Sequence, residues 1–196
     1  MFRNRPPSSS LHCESAGFSM AEALLAMTIA SVAGTAMLSS LFAAIRTSSL
    51  AVESTVAAGL AQQLMDEVAA VSFPNGTQPA LPPNSLRSAF TNLDNFAGYT
   101  ATPPIDRYGL PIGTEGSVPG SPRPVNMQPN PSELANYTQN VIVEQVQPGG
   151  PTGWTVVSSS PNYRRVTVQI VVTDPNTAPR VAAELMRVFS YVPANP

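Results

Sequence analysis

The sequence predicts an α+β protein: a long N-terminal helix, its first half suited to a membrane, packed by its second half on a C-terminal antiparallel β-sheet. Three observations predict it. Ala23 to Ile45 are 23 consecutive uncharged residues bounded by Glu22 and Arg46, and about 20 suffice to cross a bilayer core of roughly 30 Å as a helix. Val56, Leu60, Leu64, Val68 and Val71 then follow at spacings of four, four, four and three, which make one stripe on a helix. Val166, Val168, Ile170 and Val172 alternate with Thr167, Gln169 and Thr173, the period of a half-buried strand.

Taken in order, residues 1–17 are short and polar, with Arg3, Arg5 and one acid, Glu14. Residues 18–45 are the expected membrane helix: Ala, Leu and Met abound and Pro is absent, which favours helix. Gly34 and the many Ala and Ser keep it slim enough for close approach by neighbours. A buried helix of a soluble protein is the alternative, but no comparable apolar surface exists elsewhere to cover it. Residues 46–73 extend the helix amphipathically to about residue 72, where Pro74-Asn75-Gly76 ends it. Residues 74–138 form a Pro- and Gly-rich loop region. Phe90, Phe96, Tyr99, Tyr108 and Tyr137 are spaced along this part of the chain, so ordered loops pinned by aromatics are expected, with 111–133 the most mobile stretch. Residues 139–196 are the sheet. Gln139–Gln147 and Trp154–Ser158 read as one hairpin. The 166–173 strand and Val181–Val192 form another, around the turn Asp174-Pro175-Asn176-Thr177.

Composition removes several functions. The chain has 196 residues, 10 Arg and no Lys, and 12 acids, for a net charge of −2. Its one Cys, Cys13, and one His, His12, adjoin near the start. Ser-His-Asp and Cys-His catalysis, His/Cys zinc sites, Schiff bases and a phosphate-binding loop with its lysine are therefore excluded along the rest of the chain. A disulfide framework is excluded too. A mildly acidic chain without Lys is a poor binder of nucleic acid. No paired-carboxylate motif suggests a glycosidase tethered to the membrane. No enzyme activity, cofactor or metal site is expected.

The stretch Gly17-Phe18-Ser19-Met20-Ala21-Glu22, followed by the apolar run, resembles the processing site of type IV prepilins and of type II secretion minor pseudopilins. In that family a short leader is cut after a glycine on the cytoplasmic side. The new N-terminal residue, usually phenylalanine, is N-methylated, and a glutamate stands fifth in the mature chain. The resemblance implies cleavage between Gly17 and Phe18, methylation of Phe18 and an assembly role for Glu22. It is specific over 17–45 and fair over 46–72, where LAQQLMDEV is similar to minor pseudopilins. It implies a pilin-like fold and a structural role in a type IV pilus-like or type II secretion pseudopilus filament. The implied partners are a prepilin peptidase/methyltransferase, other pilin or pseudopilin subunits, and an inner-membrane assembly platform with its ATPase. The implied location is the bacterial inner membrane, crossed once with the N-terminus cytoplasmic and the soluble domain periplasmic or in an extracytoplasmic filament. Minor status is favoured: the chain after Gly17 has no Cys, and Ser39 stands where major pilins often carry a helix-kinking Pro.

The physics runs the same way. An ordinary signal peptide places its apolar region before the cut; here the polar segment precedes Gly17, and the apolar run is retained. Glycine presents no side chain to obstruct an extended substrate in a protease. Arg3 and Arg5 agree with a cytoplasmic start. A carboxylate in a membrane helix costs about 2–3 kcal/mol at the centre and less near its end. Nothing within the helix is expected to compensate Glu22, since Arg46 is 24 residues away. Family behaviour implies that the Phe18 amine of a neighbouring subunit does, fixing register. The alternative function is a secreted or periplasmic binding protein with an ordinary signal peptide, cut near Ser31-Val32-Ala33 or Gly34-Thr35-Ala36. Among other residues, Asp94, Asn95 and Asp106 are read as turn and cap residues rather than calcium ligands. Arg164-Arg165 is read as a solvated strand end, and Trp154 as a sheet-packing residue.

Overall fold

The computed structural model describes residues 19–74, 81, 85–130, 133–151, 153–159, 162–175 and 177–191. One long helix and a C-terminal antiparallel sheet make the protein α+β. The chain divides into two compact units between Ser49 and Leu50, and helix α1 (Met20–Ala69) belongs to both.

In the first unit α1 carries its apolar side chains outward: Leu24, Leu25, Met27, Ile29, Val32, Met37, Leu38, Leu41, Phe42 and Ile45 are all exposed. Its hydroxyls are turned back on the helix. Thr28, Ser31, Thr35 and Ser39 donate to the carbonyls of Leu25, Met27, Val32 and Thr35 at 2.8–2.9 Å. A hydroxyl bonded to its own helix exposes little unsatisfied polarity. The surface is therefore more apolar than the composition alone suggests.

In the second unit the amphipathic half of α1 lies on the sheet. Ala57, Leu60, Ala61, Leu64, Met65 and Val68 are buried there, and each large apolar side chain so covered contributes about 1.5–3 kcal/mol. Val56 and Val71, at the ends of the expected stripe, are only partly buried. The small Ala57 and Ala61 share the contact. The helix stops at Ala69 rather than near 72. Ser72 is taken by the loop layer instead: its N–H donates to Thr91 O at 3.2 Å and its O accepts from Leu93 N at 3.2 Å.

The sheet contains β1 (Thr100–Ala101), β2 (Tyr137–Pro148), β3 (Trp154–Val156), β4 (Tyr163–Val172) and β5 (Arg180–Ser190). All pairs are antiparallel, in the order β1-β2-β4-β5, with β3 on β2. Both expected hairpins are present: Val146 faces Val156, and Val168 faces Leu185. A register shift between Ile170 and Val171 lets β5 reach Arg180. β4 buries Val166, Val168, Ile170 and Val172, as its alternation requires. The sheet differs from expectation in two ways. β2 starts at Tyr137, and β1 is recruited from the loop region, where two residues give no periodic signal.

The loop region that links helix and sheet along the chain is ordered by aromatics. Phe90 meets Phe96 edge-on at 4.9 Å and Tyr99 at 6.2 Å, and Phe96 is fully buried. Within 111–133, the stretch expected to be most mobile, a small hairpin forms. Gly116 N–H donates to Ser121 O and Arg123 N–H to Thr114 O, both at 2.7 Å.

Candidate processing and assembly site

Gly17 and Phe18, the expected cleavage pair, lie outside the described residues. Glu22 is described, in the first turn of α1. Ser19 and Glu22 form a reciprocal cap. The Glu22 Oε2 accepts from the Ser19 backbone N–H and from its hydroxyl, each at 2.9 Å, while Glu22 N–H donates to Ser19 Oγ at 3.2 Å. The S-x-x-E spacing is the sequence signature of this arrangement, and the negative charge suits the helix N-terminus. This corrects the expectation that nothing in the helix compensates the acid. The two hydrogen bonds that Ser19 donates to the carboxylate do so in part, though neither supplies a positive charge. Sequence reading missed the cap because it weighed only charged partners.

Among the described residues, four ion pairs organise the second unit. Arg87, 4% exposed, reaches Glu67 of α1 at 3.2 Å. It also donates to Ile105 O at 2.6 Å and to the Gln139 side chain at 3.5 Å, and it stacks over the Tyr99 ring at 5.0 Å. One guanidinium thus joins the helix, two loop segments and β2. Burial pushes the Glu67 carboxyl above its ordinary 4.5, and the Arg87 and Arg107 charges only partly offset this. Burial likewise raises the Tyr99 hydroxyl above 10.0. Arg180, opening β5, pairs with Glu53 of α1.

Arg164 is not a solvated strand end. It is buried and grips both Asp94 carboxylate oxygens, at 2.8 and 3.2 Å, and it stacks over Phe73 at 5.5 Å. Its position on the helix-facing side of β4 meets the short 3₁₀ turn Leu93–Phe96, which supplies the acid. Arg165 pairs across the strands with Glu144 at 2.7 Å. Asn92 and Asn95 cap that 3₁₀ turn reciprocally at 3.2 Å. The Asp106 Oδ1 accepts from Tyr108 and Leu110 N–H at 2.8 Å. Asp94, Asn95 and Asp106 are thus engaged separately, in an ion pair, a cap and a turn. Among the described residues no cluster of three metal-ligating side chains forms. Trp154 packs on Tyr163 at 5.2 Å.

The groups that carry chemistry are therefore structural ties in the second unit and a capped acid at the head of an exposed apolar helix in the first. No protein-family model, curated protein or solved structure matches this chain.

Proposed function

We propose that the chain is a structural subunit, of minor pilin or pseudopilin type, held in the bacterial inner membrane by α1 and assembled into a type IV pilus-like or type II secretion pseudopilus filament. In this reading a prepilin peptidase cuts between Gly17 and Phe18 and the Phe18 amine is methylated. An ATP-driven platform then moves the subunit into a helical filament whose core is the packed apolar helices. The observation that carries the reading is one acid, Glu22, in the first turn of a helix long and apolar enough to cross a membrane, behind a polar segment that ends in Gly17.

Two details support it. Gly34 has open space where a Cβ would stand. A helix-interior glycine costs about 0.5–1 kcal/mol relative to Ala, so its benefit is sought in contact with another helix. Among the described residues Glu22 accepts from neutral donors, and this reading gives its charge to the amine of a neighbouring subunit. At the centre of a low-dielectric helix bundle such a pair fixes axial register, since a misplaced copy leaves both charges unpaired.

N-terminal sequencing and mass analysis of the mature chain test the proposal. A start at Phe18 with a methylated amine is expected. A start at Gly34 or Met37 establishes the secreted alternative and overturns it.

A further inference from the structure

We draw no further inference here: the strongest candidate, the buried cluster in which Glu67 of α1 meets Arg87, Tyr99 and Gln139 beneath the loop layer, joins elements of one fold, and beyond a pKa direction nothing in the structure shows a ligand or a moving part that it serves.

Discussion

Glu22 and Arg87 are charged residues in opposite situations. Glu22 is exposed at a helix head and, among the described residues, held by Ser19. Replacing it with Leu is expected to leave cleavage and membrane insertion intact but to abolish co-assembly with wild-type subunits. Filaments sheared from cells expressing both forms measure this, and equal incorporation refutes the assembly role. Arg87 is buried among four partners, so Arg87→Ala strands Glu67 and empties the guanidinium's space. A loss of about 3 kcal/mol is expected in urea unfolding of the detergent-solubilised chain. Glu67 provides a test by pH. Its carboxyl is raised by burial, so the stability it contributes is full below pH 4.5 and declines as pH rises through the raised value. Glu67→Gln stays neutral throughout. Wild type should therefore lose stability relative to the Gln variant as pH rises above 4.5, and a difference independent of pH contradicts the burial argument. Neither Arg87 nor Arg164 was legible as a buried tie. Asp94 and Arg164 lie 70 residues apart, and no local pattern marks which arginine will meet a carboxylate under a loop.

Helix α1 is one element with two surfaces. Leu64 is 1% exposed and Leu38 is 55% exposed, although both lie in one uninterrupted helix. Leu64→Ala opens a cavity against the sheet and should cost about 2–5 kcal/mol. Leu38→Ala should leave the urea midpoint of the second unit unchanged. Equal effects would show that the apolar half is packed within the chain. Both surfaces were legible: an all-round apolar run lacks a polar side, whereas a one-sided stripe marks the face that packs. The strands of the 163–190 hairpin were legible for the same reason. AAELMR, whose residues favour helix by propensity, is a strand because β4 offers a ladder that pairs Ala183 to Arg187 residue by residue. The exact end of α1 was not legible, because the Ser72 pairing with Thr91 and Leu93 ends it before the proline does.

For the whole molecule, the proposed function has maturation remove the polar segment and keep α1. Gly17→Val places a branched side chain beside the expected scissile bond. Full-length mass on blotting of the membrane fraction is expected, and normal processing would remove glycine's steric role. In the second unit, the loop region that connects helix and sheet along the chain is held by aromatic packing and by Arg87 and Arg164. Its Pro and Gly content therefore describes an irregular path rather than a free linker.

The sequence by itself determined the long helix, its division into lipid-like and amphipathic halves, the two main hairpins and the Gly17-to-Glu22 pattern. Each is written in spacings a few residues long. Only the tertiary structure decided the sheet order β1-β2-β4-β5, the recruitment of Thr100–Ala101, and the partners of the buried arginines. Those depend on backbone and charged groups finding hydrogen bonds once water is excluded, and their partners come from distant parts of the chain.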